Sequence, residues 1–342
     1  MKAFGSVRDG VVDLFNGGAS KRFAALAILL GLILIVAVVF VVEIWPGLQI
    51  DGSGLGANEQ LQRENDLRTT GLQALAGVVL ALGAAFTAYS ILSNREGQLD
   101  ERFSRALELL AGGNAHSVRG AAHSLERIAV QSVFDRAAVI QVLAGFIRDR
   151  TRAGPDRMDD EGQPPSLEVV EALTVLGRVK ELPKSPVPHL QETRWFEGEL
   201  ENVNLSGVLL DGCNFEGATL TYADLRGASL VRADLPSALL RWANLRAANL
   251  SYADLEDVDL SGASLTAANL TGAILTGAYV DGETELSGVN FTDAILHGFK
   301  IVGADLSRAD LSNALVEEAT YNAQAKFPPG FDPVERGMVL RA

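Results

Sequence analysis

Six aspartates in the second half of the chain, Asp224, Asp234, Asp254, Asp259, Asp305 and Asp310, fall on a five-residue grid, the last two one step out of phase. Carboxylates brought together in space can divide acid and base roles between them. Four histidines (His116, His123, His189, His297) offer imidazole, and His116 and His123 lie seven apart, a spacing that shares a helix face. Zinc would need further ligands there, and no acidic or cysteine partner stands near them in the sequence. Cys213 is the single thiol. No phosphate-binding glycine loop, metal-ligand cluster or nucleophile motif accompanies any of these groups. Catalytic, cofactor-binding and metal-binding residues are therefore expected to be none, with no cofactor.

The elements that carry the aspartates follow from their spacing. From Leu200 to Val280 an apolar residue recurs every fifth position in seventeen units, usually with alanine two places before it. One extra residue in Asp281–Glu285 shifts the phase, and eight more units run on Leu286, Phe291, Leu296, Ile301, Leu306, Leu311, Val316 and Tyr321. Residues two apart in an extended segment share a face, so Ala and Leu point one way and the Asp or Asn between them the other. Five is odd, so the chain must turn once per unit to keep that face, and Gly often closes the unit. The result is a coil filled by Leu and Ala, with carboxylates outside as a solvated face. Cys213, Val203, Val208, Val258 and Val289 occupy the small inward slot, which reads Cys213 as a core residue.

Units such as Ala223-Asp224-Leu225-Arg226-Gly227 and Ala268-Asn269-Leu270-Thr271-Gly272 resemble the pentapeptide-repeat family, whose consensus is Ala-(Asp/Asn)-Leu-x-x. The resemblance implies a β-solenoid, a right-handed quadrilateral β-helix of four units per coil. Twenty-five units would make about six coils and a rod about 30 Å long at the ~4.8 Å strand spacing. The solenoid is expected over 195–323, with 324–342 as a capping tail that packs Phe327 and Phe331 over the last coil.

The net charge of −14 belongs to this region: residues 195–325 hold 19 acidic and 6 basic side chains. Such a surface repels nucleic acid and anionic membranes, so no direct nucleic-acid binding is expected. One cysteine excludes a disulfide framework and fits a reducing compartment.

The first third reads as a membrane anchor. Phe23–Val42 is 20 residues without charge, enough to cross the ~30 Å hydrocarbon layer as a helix. Trp45 follows as an interfacial anchor. A softer uncharged stretch runs from Thr69 to Asn94. The expected order is a cytoplasmic segment 1–22, spans 23–42 and 71–93, and an external loop 43–70 between them. Lys2, Arg8, Lys21 and Arg22 before the first span, and Arg95, Arg102 and Arg105 after the second, put both termini in the cytoplasm at the inner membrane.

Residues 97–150 read as two or three amphipathic juxtamembrane helices broken at Gly112-Gly113-Asn114, with Asp135 capping the last. Glu101-Arg102-Phe103-Ser104-Arg105-Ala106 and Leu125-Glu126-Arg127-Ile128-Ala129 resemble a segment of bacterial membrane-anchored members of the same family, where it lies between membrane helices and repeats. Residues 151–194 form a linker with one helix from Ser166 to Val179 and a Pro-rich loop. That helix, or the loop through Trp195-Phe196, is expected to cover the first coil, because terminal strand edges need protection.

One surface feature departs from the acidic background. Positions 20 apart should stack, placing Tyr222 beneath Trp242 and Arg226 beneath Arg246, with Arg241 beside them. Aromatic and Arg side chains dominate protein-binding hot spots, so Tyr222, Arg226, Arg241, Trp242 and Arg246 form the candidate partner-binding corner. Arg232 beneath Tyr252 suggests a structural cation–π pair. The expected function is a non-catalytic, membrane-anchored scaffold for an unidentified cytoplasmic protein. The family resemblance implies an alternative, since some soluble members bind DNA gyrase as rods that resemble DNA.

Overall fold

The computed structural model describes residues 33–44, 46, 48, 57–112, 114–152 and 163–341. The chain divides into two units, Met1–Gly97 and Gln98–Ala342.

In the first unit the chain is helical over 33–44, its last five residues, Phe40–Ile44, widened to a π-helical turn. Helix α1 spans Ala57–Gly112 and continues past the boundary into the second unit. Arg68 Nε donates to the Val42 carbonyl at 3.0 Å, and its guanidinium pairs with Glu64 at 2.9 Å. Among the described residues one helical segment, Leu61–Ala84, is long and apolar enough to cross a membrane, and Ile33–Ile44 is a shorter apolar helix. Leu72, Val78, Leu80, Leu82 and Phe86 on α1 are all exposed.

These observations revise the expected hairpin. Residues 57–70, expected in an external loop, are helical, and no break separates the second span at 93 from a juxtamembrane helix at 97. Gly97 is the only helix-breaking type near that point, and one interior glycine costs about 1 kcal/mol, too little to end a long helix. Residues 23–32 of the first expected span lie outside the described residues.

In the second unit, α2 (Ala115–Gln131), α3 (Arg136–Thr151) and α4 (Leu167–Lys180) pack together. The expected break falls at Gly112–Asn114, and Asn114 Oδ1 caps α2 by accepting from Ser117 N at 3.0 Å. Asp135 takes the N-cap position of α3, but its side chain makes no capping bond. Leu125, Leu143, Ile147, Leu173 and Leu176 fill the helical core, and Ala106 and Leu110 from the end of α1 join it.

Helix α4 covers the first coil. A Cβ at Gly177 would come 2.7 Å from the Asn204 carbonyl oxygen, so only glycine allows this approach. Lys180 Nζ donates to Asn204 Oδ1 at 2.8 Å and Ser206 Oγ at 2.7 Å. Its hydrogen bond to Glu181, assisted by Ser206, pulls that carboxyl down to about 2.

The winding beyond α4 repeats one backbone hydrogen-bond pattern, and in units with Asp or Asn at the centre all five N–H groups can find an acceptor, as 224–228 shows. Asp224 N donates back to Val203 O at 2.9 Å, while Leu225 N and Gly227 N donate forward to Asn244 O and Arg246 O at 2.8 and 2.9 Å. Ala228 N closes a four-residue turn on Leu225 O at 3.0 Å. The fifth donor, Arg226 N, is taken by Asp224 Oδ1 at 3.2 Å. The same side-chain cap recurs at Asn214, Asn244, Asn269, Asp259 and Asp310. The central Asp or Asn is thus more than a solvated face: it satisfies the one N–H that neither the turn nor the next coil reaches.

Parallel bridges join residues 20 apart from His189↔Leu209 to Asp259↔Tyr279. The spacing becomes 21 at Ser264↔Glu285, where the extra residue enters, and returns to 20 at Asn290↔Asp310. Strands β1 (Tyr279–Val280), β2 (Lys300–Ile301), β3 (Thr320–Tyr321) and β4 (Val339–Leu340) form one parallel ladder in that order. The apolar residue that ends each five-residue step from Leu200 to Leu306 is buried, as is the residue two places before it, most often Ala; Ala247 and Ala267, at the third turn position, are exposed.

Both ends of the solenoid differ from the expected bounds. It starts at His189, because Leu190 and Trp195 are already fully buried in the same five-residue register. Trp195 is a lumen residue, not a lid: its Nε1 donates to Thr193 Oγ1 at 2.7 Å, and its ring stacks on Phe215 at 6.3 Å. At the far end the tail packs Phe327 and Phe331 against the core as expected, with the two rings 5.4 Å apart. It also continues the winding through Asp305↔Lys326 and β4. The whole runs for about seven and a half turns of about 20 residues, against the expected six.

Candidate functional site

Tyr222 and Trp242 sit at the third position of successive turns, with φ of 60° and 59°. The left-handed backbone there aims each side chain along the stack, and the two rings lie 6.5 Å apart and within 13° of parallel. Both remain open to water, Tyr222 at 57% and Trp242 at 43%. Trp242 in turn lies flat on the next coil: a Cβ at Gly262 would come 2.5 Å from Trp242 Cε3. Tyr252 rests on Gly272 in the same way, with 2.6 Å to a Cβ there. Where the ring lies flat on the next coil, as in Trp242 and Tyr252, glycine stands 20 positions later because the ring takes the space of a side chain there; Tyr222 instead stacks on Trp242.

The three arginines of the expected corner are held by carboxylates. Arg226 grips Asp224 with two bonds of 2.8 and 2.6 Å. Arg241 lies 3.7 Å from Asp259, and Arg246 3.6 Å from Glu285. Burial alone would raise the Asp224 carboxyl, but the bonds from Arg226 outweigh it and hold the carboxyl below its ordinary value. The structure therefore brings Tyr222 and Trp242 into contact and pairs each arginine with its own acid. It offers an apolar centre with a charge-balanced rim, not a basic patch. Among the described residues the cation–π contacts are Arg150 on Phe146 and Arg336 on Phe331, so the expected Arg232–Tyr252 pair does not form.

In the sequence the extra residue at 281–285 reads only as a register break. Asp281 Oδ1 accepts from the N–H groups of Gly262, Glu283 and Thr284 at 3.0, 3.1 and 3.0 Å, and from Thr284 Oγ1 at 2.9 Å. Burial raises its carboxyl, yet these donors prevail and lower it. The bulge so fixed borders an open depression of about 600 Å³ lined by Arg246, Glu285, Asp305 and Arg308 among others. The phase shift was the one sequence signal for it.

The remaining chemistry-bearing residues are placed as follows. Cys213 is buried, donates from Sγ to Leu190 O at 3.0 Å, and burial pushes its thiol up to about 11. His123 has acidic neighbours after all: Glu126 at 3.2 Å, three residues on in the same helix, and Glu171 at 3.1 Å, which helix packing brings from α4 against α2. Glu126 also holds Arg178 at 2.7 Å. No cluster of three or more His, Cys, Asp or Glu suited to a metal occurs among the described residues. Side-chain caps account for five of the six grid aspartates, Asp224, Asp254, Asp259, Asp305 and Asp310; Asp234 has Pro236 two residues on and no N–H there to cap.

The family profile described as pentapeptide repeats matches in eight copies, over residues 199–235, 238–277 and 284–320. No curated protein sequence matches the chain. Solved structures that it resembles include Rfr23 of the cyanobacterium Cyanothece 51142, at 27% identity over 35% of this chain and 64% of that one, with a TM-score of 0.23. The chain thus spans less than two thirds of that protein. HetL of Nostoc sp. PCC 7120, described as involved in heterocyst differentiation regulation, matches at 26% identity over 45% of this chain and 75% of its own (TM-score 0.23). The Nostoc PCC 7120 protein alr5209 matches at 30% identity over 33% of this chain and 84% of its own (TM-score 0.17). Through the repeats of residues 199–320, the chain belongs to the pentapeptide-repeat family.

Proposed function

We propose that this protein is a non-catalytic scaffold, tethered to the inner membrane with both termini in the cytoplasm, whose solenoid holds a cytoplasmic protein partner. The observation that carries the scaffold reading is the stacked and exposed Tyr222–Trp242 pair. Its rings are immobilised by their turn backbone and by Gly262, so little side-chain entropy remains to be lost on binding. Arginines neutralised by their own carboxylates surround it, the polar rim that binding hot spots share. The tether reading draws on the exposed apolar segment Leu61–Ala84 and on the positive charges flanking the apolar stretches.

Crosslinking in intact membranes, compared between the native chain and a Trp242→Ala/Arg246→Ala variant, tests the corner. A specific partner lost from the variant is the expected result, and an unchanged partner set removes the corner from the proposal. The net charge of −13 over 195–325 favours one second reading, a rod that engages DNA gyrase in place of DNA. Adding the detergent-solubilised protein to a gyrase supercoiling reaction separates the two: inhibition would replace the scaffold reading.

A further inference from the structure

Three apolar side chains project from the turn between α2 and α3. Phe134 is 96% exposed, Val130 58% and Val133 45%. The turn is held rigid from behind. Arg136 is buried and its Nε donates to Ala129 O at 2.8 Å, across the turn, while its Nη1 bonds Pro183 O. Ser132 N caps α2 on Ile128 O at 2.9 Å, and Ser132 Oγ receives Asp135 N at 3.3 Å. The exposure of Phe134 is therefore built in and not a product of a loose loop.

We propose that this tip inserts shallowly into an anionic lipid surface. Three side chains on a convex turn cannot supply the ~800 Å² per partner that a stable protein interface needs. Such a point suits the bilayer interface, where a few apolar side chains enter the headgroup region without a matching pocket. The charge beside it has the matching sign. Arg127 lies one turn before Val130 on α2, and Arg127, Arg102 and Gln131 line one depression. Residues 98–152 hold eight basic against six acidic side chains, in contrast to the acidic solenoid. Glu126 is already held by Arg178, which leaves Asp135 as the carboxylate next to Phe134 and limits the depth of insertion.

The full-length chain carrying Phe134→Cys, labelled with an environment-sensitive nitrobenzoxadiazole maleimide and reconstituted into phosphatidylcholine/phosphatidylglycerol vesicles, tests this. The buried native Cys213 leaves the new thiol as the reactive one. A Val302→Cys chain labelled on the solenoid is the aqueous control, since Val302 is exposed there. The expected result is blue-shifted emission at 134 only, quenched by headgroup-proximal doxyl lipid and weakened by an added Arg102→Gln/Arg127→Gln pair. Emission at 134 equal to the control overturns the proposal, as does a blue shift that lipid quenchers leave intact, which would mean a second copy covers the tip. Flotation of the chain with vesicles reads the membrane tether separately, so the two ideas fail independently.

Discussion

The contact of Trp242 with Gly262 predicts a difference between two glycine positions that look alike in sequence. Gly262 and Gly227 share the third turn position with φ of 64° and 61°. Replacing either with alanine forces an L residue into the left-handed region, at about 1 kcal/mol. At Gly227 nothing lies within 4 Å of the new Cβ, so that is the whole loss. Ala247 and Ala267 already occupy this conformation at 55° and 59°, which shows the fold tolerates it. At Gly262 the Cβ would lie 2.5–2.7 Å from three Trp242 ring atoms, and the indole must leave its seat. Overpacking of this kind adds about 1–3 kcal/mol, so Gly262→Ala should lose about 2–4 kcal/mol in all. Chemical denaturation of the native chain, the two alanine variants, Trp242→Ala and the Trp242→Ala/Gly262→Ala double variant completes the cycle. In the double variant the Gly262 substitution should fall back to about 1 kcal/mol, the value at Gly227. Equal losses at both glycines, or an excess at Gly262 that survives removal of the indole, would refute the aromatic-on-glycine argument.

Four further outcomes are expected. Leu245→Asp places a charge in the closed lumen, where Leu245 is fully buried, and should abolish the cooperative melting of the solenoid; a folded variant with native melting temperature contradicts the lumen assignment. Asp281→Ala leaves the three N–H groups of the bulge without their acceptor and should destabilise by about 2 kcal/mol, while Asp281→Asn keeps the acceptor and most of the stability. Because the folded carboxyl is lowered, Asp281 stabilises above the ordinary aspartate range and that contribution is lost as pH falls through its folded value; the loss between pH 4 and lower pH should be smaller in Asp281→Asn when followed by denaturation. Cys213, buried and with its thiol raised to about 11, should resist alkylation at pH 7.5 in the native chain and react at once in denaturant.

The solenoid, its phase shift and the fate of Cys213 are legible in the five-residue grid, and the helix from Ser166 in its own apolar spacing, though the sequence leaves open whether that helix or the Trp195–Phe196 loop covers the solenoid's end. The first coil did not show, because Thr193 and Gly198 replace the alanine of the unit and Trp195 replaces its leucine, although all keep the spacing. The partner-binding corner was half legible. Stacking at 20 residues places Tyr222 on Trp242, but the acid that holds Arg241 lies one coil on, and the acid that holds Arg246 lies two coils on and is reached only through the extra residue. Likewise His123 gained Glu171 from α4, 48 residues on in the chain, which only helix packing could bring near.

The sequence by itself determined the periodic part of this protein: an odd repeat with two apolar positions per unit forces a turn in every unit and a filled lumen, whatever surrounds it. Tertiary structure alone decided that α1 runs unbroken, that Arg136 braces the turn bearing the exposed Phe134, that Arg241 and Arg246 meet Asp259 and Glu285, and that glycine stands where the rings of Trp242 and Tyr252 lie one coil later. The division has a physical cause. Periodicity is a local property, satisfied by neighbours a few residues apart, whereas these contacts join groups whose distance is fixed only once the chain has wound.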